Sequence, residues 1–218
     1  MTQVGPRLKR FPPKWPPVRR KKTRQSKNQE RASDSIKSDR ALVLDFWFTE
    51  TPPAKWFASD PSFDAQIRSR FEATWRLGCA GDLSGWENEP NGALALIILF
   101  DQFPRNMFRG TAEAFASDAM AQDIAKRAIA QRRDLEAPES IRIFFYMPLM
   151  HSEHLGDQEA CVRLIKERLG EDHFSFRYAT LHKAAVERFG RFPARNAGLG
   201  RASSDDEKDF LKHNPSGF

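Results

Sequence analysis

Long apolar runs are missing from this 218-residue chain. The longest, Ala93 to Phe100, falls far short of the ~18 apolar residues that a membrane helix needs. That excludes a helical membrane span. The N-terminus has no apolar core, so it does not read as an ordinary secretory signal. Cysteine is scarce: Cys79 and Cys161 stand far apart and show no CxxC spacing, which excludes a disulfide framework and a cysteine zinc site. Each falls in an apolar helical pattern, so both read as reduced, buried thiols of a cytoplasmic protein. Tyrosine occurs twice against eighteen phenylalanines, a usage that fits rings buried between helices. No Walker loop and no Gly-x-Gly-x-x-Gly occurs, so nucleotide binding has no motif support. Period-two alternation is missing over any useful length, which argues against half-buried strands.

Acidic residues are absent before Glu30. Residues 1–40 hold thirteen Lys and Arg against three acids, and the rest of the chain is mildly acidic. The overall charge of +6 therefore belongs to one end. Residues 1–38, rich in proline and cations, read as a disordered tail or a misassigned start, and residues 39–218 as a single all-helical domain. Nucleic acid or an anionic membrane surface enters as a partner only through that tail. The absence of serine before Ser26 and the density of proline argue against a transit peptide.

What is present is helical throughout. Ser35 to Phe48 opens the series. Asp60 is placed to cap a helix with Pro61 in its first turn, and Phe63, Ile67, Phe71 and Trp75 form its apolar stripe. Gly78 to Pro90 reads as a loop. Helices follow at Asn91 to Phe103, Glu113 to Gln131, Pro138 to Met147, Ser152 to Leu169 and Phe174 to Phe189. Ser203 or Ser204 caps a last one with an acidic first turn. The expected architecture is all-α, an irregular stack of antiparallel helix pairs resembling a tetratricopeptide-like superhelix.

Two related motifs carry most of the polar chemistry. Leu99-Phe-Asp-Gln-Phe-Pro-Arg-Asn-Met-Phe-Arg109 closes one apolar helix, and Pro104 is expected to stop it. Arg188-Phe-Gly-Arg-Phe-Pro-Ala-Arg-Asn196 repeats the Phe-x-x-Phe-Pro pattern with Arg-Asn after it. The residue before each proline is biased to an extended backbone. One reading is a repeated corner in which arginine caps helix carbonyls. The other is that Arg105, Arg109, Arg191 and Arg195 converge on an anion, as guanidinium forks favour, with Asp101, Gln102, Asn106 and Asn196 beside them. Asp101, set in an apolar helix end, needs an arginine partner.

A third dense segment, Phe144 to Gln158, spaces His151, His154 and Asp157 by three. A helix begun by His151 would put them near one face. HExxH spacing and paired Glu-x-x-His are both lacking, so no metal site is assigned. His151, Glu153, His154 and His182 are instead candidate acid–base groups. Ser84 and Ser152 lack a nucleophile elbow or a triad arrangement.

The blocks Leu44-Asp-Phe-Trp-Phe48, Phe63-Asp-x-x-Ile67, Leu96 to Thr111, Phe145-Tyr-x-Pro-Leu-x-His-Ser-Glu153 and Phe189-Gly-Arg-Phe-Pro-x-Arg-Asn196 resemble the domain of unknown function 924 family. The resemblance runs from about residue 40 to the C-terminus and includes Leu199-Gly-Arg201 with the acidic Asp205-Asp-Glu207. It implies an all-α domain similar to tetratricopeptide-like superhelices and supplies no activity, substrate or cofactor. Two functional expectations follow from the residues. The first is a helical protein that binds an acidic peptide or small anion in an Arg/Asn-lined groove, with a protein or small anionic ligand as partner. The second is a hydrolase-type enzyme that uses His and Glu beside an arginine clamp.

Overall fold

The computed structural model describes residues 40–89, 91–214 and 217. The basic segment 1–38 and the boundary placed after it lie outside them. The described residues are helical with no strand among them, and they belong to the unit Ile36–Phe218. None of their helices is long and apolar enough to cross a membrane.

Helix α1 (40–45) runs into a π turn, Phe46–Glu50. Thr51 closes that turn by donating its N–H and its hydroxyl to the Phe46 carbonyl, at 3.0 and 2.7 Å. The turn buries Phe46 and Trp47. Helix α2 (Pro61–Cys79) begins as the sequence dictates. The Asp60 carboxylate accepts from the N–H groups of Ser62 and Phe63, and Pro61 takes the first turn, where a missing N–H costs nothing. Its stripe of Phe63, Ile67, Phe71 and Trp75 is buried. Phe46 and Phe71 meet at 5.1 Å, Phe71 and Phe103 at 4.6 Å, and Trp47 and Phe144 at 6.1 Å edge to face. Tilted and edge-on pairs of this kind are the arrangement that ring quadrupoles favour, and they account for the surplus of phenylalanine. Cys79, at the end of α2, is exposed rather than buried as expected, the last turn burying Gly78 instead; Cys161 is buried.

Helix α3 (Gly92–Ile97), a π turn (Ile98–Gln102) and helix α4 (Phe103–Met107) form one continuous rod. Pro104 does not stop the helix. The wider π turn before it supplies the register change, so Pro104 falls in the first turn of α4. Phe103 is accordingly helical, at φ −60° and ψ −42°, and not extended. At the second Phe-Pro, Phe192 is extended as expected, at φ −90° and ψ 109°. The two motifs share letters and differ in shape.

The helix expected from Glu113 splits into a 3-10 turn, Ala112–Phe115, and helix α5, Asp118–Ala130. Ala121, Ala125 and Ala128 are buried on α5, and these small side chains let α3 pack closely against it. Pro148 starts helix α7 (Met147–Met150) instead of ending the preceding segment, which is helix α6 (Glu139–Arg142) with a 3-10 turn. Helix α8 (Leu155–Arg168) starts three residues later than expected, with His154 at its N-cap. Helix α9 (Phe174–Phe189) packs on α8 and ends at Gly190, whose φ of +68° suits glycine. Helix α10 (Asp205–His213) carries a capping box: Ser204 accepts from the Glu207 N–H, and Glu207 accepts from the Ser204 N–H.

Candidate functional site

The 56–58 loop, the π turn, α4, the Ala112–Phe115 turn, α7, α9 and the arm after α9 together line a half-open cavity of about 740 Å3. That volume lies within the ~300–1,000 Å3 typical of small-molecule sites. Its polar wall comes from the two Phe-Pro motifs and from His151, and its apolar wall from Trp56, Phe57, Phe115, Met147 and Phe174.

Asp101 organises the polar wall. It is fully buried, because the π turn directs it inward. The His151 ring donates from Nδ1 to Asp101 Oδ1 at 2.7 Å, and the Gln102 amide donates to Oδ2. Arg105 Nη1 lies 3.2 Å from Asp101 Oδ1 and also donates to the Asp101 carbonyl at 2.6 Å. Of the three arginines that might have answered this carboxylate, only Arg105 does. Arg109 turns to Asp64, and Arg142 caps the carbonyls of Asp134, Ala137 and Arg168. Burial works to raise the Asp101 pKa, but the charge of Arg105 and the bond from His151 outweigh it. The carboxyl therefore sits well below its ordinary range. An ionised Asp101 only accepts, so His151 carries its proton on Nδ1 and leaves Nε2 as the bare nitrogen.

Arg105 and Arg195 share a carboxylate that the sequence did not single out. Arg105 grips Asp118 with both Nη atoms, at 2.8 and 3.0 Å, and Arg195 reaches the same group at 3.2 Å. Arg195 also donates to the His151 carbonyl at 2.8 Å. Its guanidinium stacks between Phe115 and Phe192, 4.7 and 4.6 Å from the ring centroids. Burial, then the neighbouring Arg105, pushes Arg195 down to about 10. At neutral pH it remains a cation, sharing Asp118 with Arg105. Burial and Arg105 likewise hold His151 below the usual histidine range, against the pull of Asp101. His182, with its ring 6.2 Å from that of His151, donates from Nδ1 to the Tyr178 carbonyl at 2.8 Å. Burial, then His151, pushes it down to about 3. Among the described residues, no three His, Cys, Asp or Glu side chains are grouped as a metal site requires.

The structure thus brings together Asp101, Gln102, Arg105, Arg195, His151 and His182. It keeps the other candidates apart. Asn106 and Arg109 border the cavity, yet both donate to Asp64, at 2.8 to 2.9 Å. Arg191 is bound bidentately by Glu207, and Asn196 donates to Ser203 at 3.0 Å; neither lines the cavity. Glu153 is not in the cavity wall either. It accepts from Arg201 and from the Phe192 N–H at 2.8 Å, so it pins the arm that carries Arg195. His154 is exposed at the α8 N-cap. Asp157 turns to Ser152 and Lys126, so the expected face of His151, His154 and Asp157 does not form. Asp118 went unseen because nothing in the spacing links it to Arg105. Trp56-Phe57 left a clearer signal, an aromatic pair in an otherwise polar loop.

These features define an all-α domain with a buried arginine–histidine–aspartate cluster at one cavity. Over residues 43–215 the chain matches the family described as "Bacterial protein of unknown function (DUF924)", and it belongs to that family. It is similar to the solved structure of a protein of unknown function from Agrobacterium tumefaciens, with 37% identity and a TM-score of 0.77, over 82% of this chain and 99% of that one. A search of curated proteins returns no match.

Proposed function

We propose that the cavity binds a small amphipathic anion, with its charged group against Arg195 and Arg105 and its apolar body among the rings of the opposite wall. The observation that carries this reading is the state of Arg195. It is a largely buried guanidinium in the cavity wall, and among the described residues the carboxylate it touches, Asp118, is already held by both Nη atoms of Arg105. Among the described residues Arg195 uses two of its five N–H donors, on Asp118 and the His151 carbonyl, and a carboxylate or phosphate on the ligand would accept from the others through the fork geometry that guanidinium offers. The apolar requirement comes from Phe57 and Phe174, which line the cavity while remaining more than half exposed. Large rings left open to water around a concave site favour an apolar ligand.

The test is titration calorimetry with 4-phenylbutyrate and its neutral amide. The carboxylate should bind and the amide should bind much more weakly. Arg195→Met should weaken carboxylate binding by ~1.5–3 kcal/mol, the worth of a hydrogen bond to a charged group, or about tenfold to a hundredfold. Equal affinity for acid and amide, or full affinity in Arg195→Met, would overturn the reading.

A further inference from the structure

The cavity contains more than an anion clamp needs. A clamp has no use for a buried carboxylate that fixes one imidazole nitrogen and leaves the other bare. Resting on the anion-binding reading, we propose that His151 is a general base that activates water for hydrolysis of an ester or amide bond in the bound anion, with Asp101 as its positioning residue.

Three observations lead there. First, His151 lines the cavity whereas Asp101 does not, so Asp101 lies behind the ring at Nδ1 and the opposite edge, with Nε2, faces the ligand space. Second, among the described residues no hydroxyl or thiol makes a hydrogen bond to His151, whose side chain meets Asp101. The proposal accordingly assigns water, not a side chain, as the attacking group. Third, Arg105 and Arg195 lie beside the imidazole, and those of their N–H donors not used on Asp101, Asp118 and the ligand's charged group would donate to the carbonyl oxygen as it gains negative charge in acyl transfer. The charged and titratable groups around His151 are Asp101 and Arg105 from the π turn and α4, Asp118 from α5, His182 from α9 and Arg195 from the arm. Burial and the arginines keep the ring neutral at neutral pH, the form that a base requires.

The step balances without a cofactor. Nε2 takes a proton from water as the oxygen bonds to the acyl carbon. The carbonyl π electrons move onto its oxygen. When the carbonyl re-forms, the bond to the alkoxide or amine breaks, and the imidazolium returns the proton to that leaving group. The products are a carboxylic acid and an alcohol or amine.

The experiment pairs a reaction with a binding measurement. The 4-nitrophenyl monoester of glutaric acid and neutral 4-nitrophenyl acetate are offered to the wild type, His151→Gln and Asp101→Asn, and 4-phenylbutyrate binding is measured on each. The wild type should turn over the anionic ester at least about tenfold more efficiently than the acetate. Its kcat/KM should rise with pH through a group below 6.5 and then level. His151→Gln should still bind 4-phenylbutyrate, which shows that it is folded, and should lose ~10²–10⁴-fold in kcat. Asp101→Asn should still bind 4-phenylbutyrate, lose kcat, and move the pH step lower because the ring loses the carboxylate that raised its pKa, a shift that mere loosening of the fold would not produce; an unmoved step would overturn the role of Asp101. Binding of 4-phenylbutyrate with ester cleavage at the background rate would overturn hydrolysis and leave the anion site standing. Cleavage undiminished in His151→Gln would overturn the role of His151. Absence of both binding and cleavage would remove this inference and the reading beneath it.

Discussion

Burial of His182 should make the fold lose stability in mild acid. Its ring is buried against Phe192 and near His151, and its pKa falls to about 3. In the unfolded chain the value returns to about 6.5. Between these limits the unfolded state binds a proton that the folded state refuses, so stability falls as pH drops from about 6.5 toward 3 and is unaffected above that window. At pH 5 the free energy of proton binding to the unfolded form comes to about 2 kcal/mol. Urea denaturation of the wild type and of His182→Phe at pH 7.5 and pH 5 isolates the contribution. Carboxylates that also weaken in acid, Asp101 and Glu207 among them, are common to both proteins and cancel in the difference. The wild type should lose about 2 kcal/mol more than His182→Phe between the two pH values. Identical pH slopes would refute the claim that His182 is held neutral by burial.

Gly92→Ala should destabilise the fold although alanine is the better helix former. A Cβ at residue 92 would stand 1.7 Å from the Trp86 carbonyl oxygen, which is backbone and cannot swing aside. A loss of about 3 kcal/mol or more is expected in chemical denaturation, and unchanged stability would contradict the close approach. Exposed Cys79 should react quickly with a thiol reagent, whereas Cys161, buried with its pKa pushed far up by burial, should react only after unfolding. Two fast thiols per native chain would refute that packing.

Much of the fold was legible because it rests on local chemistry. Asp60 before Pro61, the four-residue beat from Phe63 to Trp75, Gly190 after α9 and the Ser204–Glu207 box act within a few residues of themselves. Pro104 misled because a π turn is a register change set by tertiary packing, which no spacing rule announces. The site was half legible for a related reason. Arg105, Arg195 and His151 stood out as polar groups set among aromatics, and they do meet. Asp64, Glu207 and Asp118 decide which arginines face the cavity, and each sits on a different helix from its arginine, 13 to 77 residues away. Those carboxylates divide the four arginines into two that face the cavity polar cluster and two that brace other helices. Glu153 shows the same logic: its chemistry looked catalytic, yet its partners Arg201 and Phe192 make it a brace.

The most direct test of the account is a crystal structure of the protein soaked with 4-phenylbutyrate. The account predicts the carboxylate within hydrogen-bond distance of the Arg195 guanidinium and the phenyl ring among Trp56, Phe57 and Phe174. Ligand bound at another surface, or in this cavity with its carboxylate turned away from Arg195, would contradict it.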